Sequence, residues 1–213
     1  MATAWLAGGS GLVGGVLLRR LLQDEFFGKV VSAGRRTLSQ EHPKLIQVLV
    51  DFQNSIAFDA LDAPDVALCC LGTTMRKAGS REAFRKVDFG AVLAFAQAAL
   101  GKGARAFVHV SALGANPGSR IFYSSVKGQI EEAVARLGYT SVYAFRPSML
   151  DGVREERRLG ERIGLAMMRA GGPLLGKYRP TSVEALAQAM MLAAKSPAPG
   201  SHVVEPDSMG VMT

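Results

Sequence analysis

Short runs of consecutive apolar residues alternate along the chain with longer stretches in which apolar positions recur every three or four residues. Residues 3–7, 29–33, 45–50, 65–71, 105–110 and 139–145 are of the first kind and read as β-strands. The run at 65–71, DVALCCL, is almost uninterrupted, as in a strand buried on both faces. Residues 12–22 instead repeat Val13, Val16, Leu17 and Leu21, a helical period. Residues 81–100 predict a long amphipathic helix with Phe84, Val87, Ala91, Val92 and Phe95 on one side, and 121–137 predict another. Beyond Pro147, glycines and arginines dominate to Pro180, with one helical stretch near 155–170. Thr181-Ser182-Val183-Glu184 has the spacing of a capping box and opens a helix to about Lys195, after which 202–205 reads as a last short strand. This alternation predicts right-handed βαβ units and an α/β fold, a doubly wound parallel sheet flanked by helices. No linker divides residues 1–213, so they form one domain, with 148–180 as a short irregular elaboration on the substrate side.

Composition narrows the class. The 213 residues are 48% hydrophobic and only 20% charged, which excludes a disordered chain. The 24 glycines follow no short repeat. Two adjacent cysteines, Cys69 and Cys70, exclude a disulfide framework and fit a reducing compartment. The amino terminus lacks a basic targeting segment and the longest apolar stretches are too short to span a bilayer, so a cytoplasmic location without membrane association is expected.

The formal charge is +7. Arg76, Lys77, Arg81, Arg85 and Lys86 against Glu82 give residues 76–86 a net +4. Residues 151–180 carry seven basic side chains against four acidic ones, a net +3, so the remainder is neutral. In the predicted fold both stretches follow carboxyl ends of strands, the edge where such sheets bind ligands. The excess reads as a field for an anionic small molecule, cofactor or substrate, rather than for nucleic acid, because no helix interleaves basic residues with aromatics. His42, His109 and His202 lack metal-ligand spacing, and no metal is expected.

Gly8-Gly9-Ser10-Gly11-Leu12-Val13-Gly14 spaces three glycines as G-x-x-G-x-x-G between the first strand and the first helix. Such glycines permit a tight turn, close approach of backbone to a pyrophosphate, and packing of helix on strand. An NAD site ordinarily has an acid about 20 residues further on. Here Arg35 and Arg36 occupy that slot, and a guanidinium suits a 2′-phosphate, which favours NADP(H). Asp51, followed by Phe52, ends the third strand where an adenine edge would lie.

Tyr123 and Lys127 stand four apart on a predicted helix and share a face, with Ser111 twelve residues before Tyr123 at the end of the fifth strand. A phenol becomes a usable acid or base near neutrality when a fixed ammonium stabilises its phenolate. Lys127 would do this while holding ribose hydroxyls, and Ser111 would hydrogen-bond the substrate oxygen.

With GGSGLVG at 8–14, GRR at 34–36, CCLGTT at 69–74, VD at 87–88, Ser111, YSSVK at 123–127 and FRP at 145–147, the sequence resembles the short-chain dehydrogenase/reductase superfamily. Within it, the similarity is to the compact, atypical branch of Tat-interacting-protein-like oxidoreductases. The resemblance implies that Leu71, Gly72 and Thr73 line the cofactor after the fourth strand and that Pro147 contacts the nicotinamide end. It also implies a homodimer paired through the helices at 81–100 and 121–137. Asp88 departs from the pattern, standing where many longer relatives carry Asn, and leaves the usual proton relay open. The leading expectation is an NADP(H)-dependent oxidoreductase acting on a small carbonyl or alcohol. Two alternatives stand beside it: an NADPH-binding regulator or scaffold with little catalysis, and a nucleotide-sugar epimerase or dehydratase.

Overall fold

A computed structural model of the chain describes residues 1–52, 58, 61–151 and 180–210. Seven parallel strands form one sheet in the order β3-β2-β1-β4-β5-β6-β9, where β1 is Ala2–Ala7, β2 Phe27–Gly34, β3 Leu45–Leu49, β4 Val66–Cys69, β5 Ala106–Val110, β6 Ser141–Phe145 and β9 Gly200–Val204. The order reverses between β1 and β4, so the loops leaving these two strands diverge and open a crevice between them. A two-stranded pair, β7 (Leu150–Asp151) and β8 (Thr181–Ser182), lies outside the main sheet. The doubly wound α/β fold expected from the alternation is the observed one.

Alternation along β1 sends side chains into two cores, one on each face. Ala4 and Leu6 pack with α1 (Leu12–Gln23) and α6 (Val183–Lys195), whereas Trp5 and Ala7 face α4 (Val92–Gly101) and α5 (Phe122–Ala135). Burial on both faces explains why β4 and β6 read as continuous apolar runs. Lys195 and Asp24 join the carboxyl ends of α6 and α1 through an ion pair of 2.8 Å.

The expected helix over 81–100 runs unbroken from Arg81 to Gly101 but changes pitch along its length. A short helix α3 (Arg81–Arg85) passes into a π-helical stretch, Lys86–Ala91, and then into α4. The wider π turn re-aims Asp88, the one fully buried residue of the stretch, away from the apolar stripe and into the protein. A single extra turn of helix, α2 (Met75–Ala78), precedes it, capped by the Thr74 side chain. The capping box at 181–184 also needs correction: Ser182 is the N-cap of α6, accepting from the Ala185 N–H, while the Thr181 hydroxyl accepts from the Ser148 N–H at 3.0 Å. The last strand starts earlier than expected and lies parallel to β6. The helix expected near 155–170, and most of the elaboration at 148–180, fall outside the described residues.

Candidate functional site

The crevice between β1 and β4 continues as a cavity of about 770 Å³ along the carboxyl ends of the strands. Its floor is the glycine turn. Gly8 has φ +88°, and a Cβ there would lie 2.7 Å from the Cys70 carbonyl carbon. A Cβ at Gly14 would lie 2.1 Å from the Gly8 carbonyl oxygen. Gly8 therefore lets the turn pass close to the β4 loop, and Gly14 lets α1 sit directly on the turn. The α1 amino terminus opens here at Gly11 with no side chain capping it, so its N–H groups and positive dipole end are left for an anion.

Several predicted residues come together on this cavity: Gly8, Ser10, Gly11, Arg35, Arg36, Asp51, Phe52, Leu71 and Gly72 all line it. Val13 and Gly14 do not; Val13 is turned into the core, where the helical period of α1 puts it, and Gly14 serves packing. Leu12 is partly exposed at the start of the helix. The Thr73 N–H is occupied, donating to Asp88 Oδ2 at 2.8 Å. Pro147 is buried beyond β6, its carbonyl accepting from Leu113. Lys86, missed in the sequence because it reads as one more exposed basic residue, lines the same cavity as the two arginines.

Ser111, Tyr123 and Lys127 do not themselves line the cavity; the nearest approach is at Gly72, where a Cβ would lie 3.8 Å from Lys127 Nζ. Lys127 and Tyr123 lie one helical turn apart on α5, and the Tyr123 ring, at the surface, packs against Phe84 at 5.6 Å. Lys127 Nζ pairs with Asp88 Oδ1 at 2.7 Å, both side chains being buried. Burial alone would favour loss of the ammonium proton, but Asp88 and the nearby Tyr123 phenolate outweigh it and hold the Lys127 pKa above its ordinary value. Lys127 is thus a fixed cation.

Ser111 is buried at the end of β5, with its N–H bonded to the Phe145 carbonyl at 2.6 Å. Its hydroxyl donates to Glu131 Oε1. Sequence reasoning missed Glu131, although its place four residues after Lys127 on the same helix was a usable signal. His109 and Cys69 are register partners on β5 and β4 behind the site. Burial pushes the Cys69 thiol up to about 12 and the His109 imidazole down to about 3, so both stay neutral and packed.

No family model matches the chain. Among curated proteins it is 38% identical over 163 residues to "Protein HTATIP2" of Rattus norvegicus, covering 75% of this chain and 67% of that protein. It is 30% identical over 203 residues to "Protein fmp52, mitochondrial" of Aspergillus niger, covering 92% and 85%. Solved structures share the fold at low identity. One is MoeE5 in complex with UDP-glucose and NAD, at a TM-score of 0.71, 18% identity and coverage of 97% and 79%. A short chain dehydrogenase family protein from Francisella tularensis gives 0.69, 15% and 98% of both chains.

These relatives correct the expected cytoplasmic location, since several fungal ones are named mitochondrial. Reduced cysteines and a lack of long apolar stretches suit more than one compartment, which is why composition misled. Among the described residues no helix is long and apolar enough to cross a membrane. The identities place this chain in the family of HTATIP2 and the fungal FMP52 proteins, with the fold of short-chain dehydrogenase structures.

Proposed function

We propose that the chain is an NADP(H)-dependent oxidoreductase that moves a hydride to or from a small carbonyl or alcohol substrate. The observation that carries this reading is that Gly72, which lines the glycine-floored cavity, lies close against the buried Lys127 and Asp88 side chains. Structures of the same fold carry NAD, among them the MoeE5 complex and a short-chain dehydrogenase/reductase superfamily protein from Agrobacterium tumefaciens, which supports a nicotinamide dinucleotide here. Arg35 and Arg36 on the cavity wall favour the 2′-phosphorylated form, because a guanidinium grips phosphate by paired charge-assisted bonds.

The residues fit such a group. The uncapped α1 amino terminus would hold the pyrophosphate, and Asp51 and Phe52 would border the adenosine end. The bound nicotinamide supplies or accepts the hydride. Tyr123 gives or takes the proton at the substrate oxygen through its phenol Oη. Lys127, kept charged by Asp88, stabilises the phenolate that forms as the proton moves. Ser111 Oγ steadies the substrate oxygen.

Tyr123→Phe tests this. Turnover of NADPH with carbonyl compounds should fall by about a thousandfold, within the range of a lost general acid, while NADPH affinity stays at the wild-type value. Undiminished turnover in Tyr123→Phe would remove the assignment.

A further inference from the structure

Ser111 does not stand alone in its pocket. Its hydroxyl donates to Glu131 Oε1, and the same oxygen accepts from Arg146 Nε at 3.0 Å. The second oxygen, Glu131 Oε2, accepts from Arg146 Nη2 at 2.5 Å. Arg146 Nη1 reaches Glu205 Oε1 at 3.2 Å, just beyond the end of β9. The carboxylate is nearly enclosed, its side chain 11% exposed, and that of Arg146 is 21% exposed. Three rigid elements therefore meet at one carboxylate: α5 brings Glu131, β5 ends in Ser111, and β6 leads into Arg146.

We propose that Glu131 is the positioning residue of Ser111. A serine hydroxyl has three staggered rotamers and a freely turning proton. The Arg146 fork holds the Glu131 carboxylate in one plane. That carboxylate in turn selects the Ser111 rotamer and takes its proton in a hydrogen bond, so that Oγ is held in one place as an acceptor for the hydroxyl of an alcohol substrate or of Tyr123. A carboxylate is needed because it accepts on both oxygens. An amide has one acceptor oxygen and cannot hold both arms of Arg146 and the Ser111 proton together. The proposal rests on the reading of Ser111 as the group facing the substrate oxygen.

The test is a double-mutant cycle with Ser111→Ala, Glu131→Gln and both together. It follows NADP⁺-dependent oxidation of cyclohexanol as the probe, with NADPH affinity and Tm measured in parallel. Glu131→Gln should lower kcat about tenfold at unchanged NADPH affinity, and should cause no further loss once Ser111 is Ala. If Glu131→Gln does not fold, Arg146→Lys enters the same cycle, since a lysine keeps the charge but not the fork. A wild-type kcat in Glu131→Gln, or an equal loss with and without Ser111, would overturn the positioning role while leaving the oxidoreductase reading intact. Absence of any turnover in the wild-type chain in either direction, with NADP⁺ and alcohol or with NADPH and carbonyl, would take down that reading and this proposal with it.

Discussion

Lys127 Nζ stands 2.7 Å from Asp88 Oδ1, and the two side chains are 5% and 0% exposed. The other oxygen of Asp88 accepts from the Thr73 N–H, so one carboxylate ties α5, the π-helical stretch and the loop after β4 together. Asp88→Asn keeps a partner for Thr73 but leaves Lys127 a buried cation without a counter-charge. It should cost about 3–5 kcal/mol, the usual penalty for breaking a buried pair from one side. Adding Lys127→Met should recover part of that loss, because a neutral pair demands no solvation. The Lys127 pKa is raised, so the pair's contribution is complete below the ordinary lysine range and is lost only as pH rises through the folded value. Urea unfolding at neutral pH is the measurement, and equal midpoints for wild type and Asp88→Asn would refute the argument.

Arg35 and Arg36 carry the cofactor preference. Replacing both by Ala should weaken NADPH binding about 30-fold or more, since each charge-assisted bond to phosphate contributes about 1.5–3 kcal/mol. NADH has no 2′-phosphate and should bind the double variant as it binds wild type. Fluorescence titration with each cofactor decides it, and a parallel loss for both would mean that the arginines hold a part the two cofactors share.

Gly14 offers a cleaner steric test. Gly14→Ala puts a Cβ 2.1 Å from the Gly8 carbonyl oxygen, and backbone cannot step aside as a flexible side chain can. The variant should lose about 1–3 kcal/mol or more through overpacking, together with dinucleotide binding, because relief requires α1 to lift off the turn. Gly101→Ala, whose Cβ meets nothing within 4 Å, is the control and should bind NADPH normally. Gly14→Ala binding as well as Gly101→Ala would show that the turn tolerates what its geometry forbids.

The parallel sheet and several of the residues lining the glycine-floored cavity were legible because they rest on local signals: apolar runs, a glycine triplet, a pair of arginines after a strand. The π-helical stretch was not. Phe84, Val87, Ala91, Val92 and Phe95 satisfy an ordinary helical period closely enough to hide it, and the wider turn is recognisable only through Asp88, an acid with no surface to face. Glu131 and Arg146 were missed for a related reason. Each reads as an ordinary charged residue until the tertiary fold places β6 against α5 and removes both from water. Ion pairs formed across the fold leave little trace in spacing, whereas turns and strands do.

His109 gives the last expectation. It is 1% exposed on β5, with its ring 5.6 Å from that of Phe107 and with Cys69 as its register partner, and among the described residues neither ring nitrogen has a hydrogen-bond partner. Burial first, and the Lys127 charge second, push its pKa from the ordinary 6.5 down to about 3. Between these values the unfolded chain binds a proton that the folded chain refuses. Stability should therefore fall as pH drops below the ordinary histidine range, with a slope from this group approaching about 1.4 kcal/mol per pH unit. Asp24, whose carboxyl is held below its usual range against burial by Lys195, adds its loss only at lower pH. Urea unfolding at pH 7 and pH 5 should show the slope in wild type and a flatter profile in His109→Phe, whatever the absolute stability of the variant. The same burial means that His109 cannot supply a proton in the neutral range, so the His109→Phe pH–rate profile should keep the wild-type shape. An imidazole resonance of His109 titrating near 6.5 would contradict both statements, for it would require the ring to be solvated or paired where the fold leaves it neither.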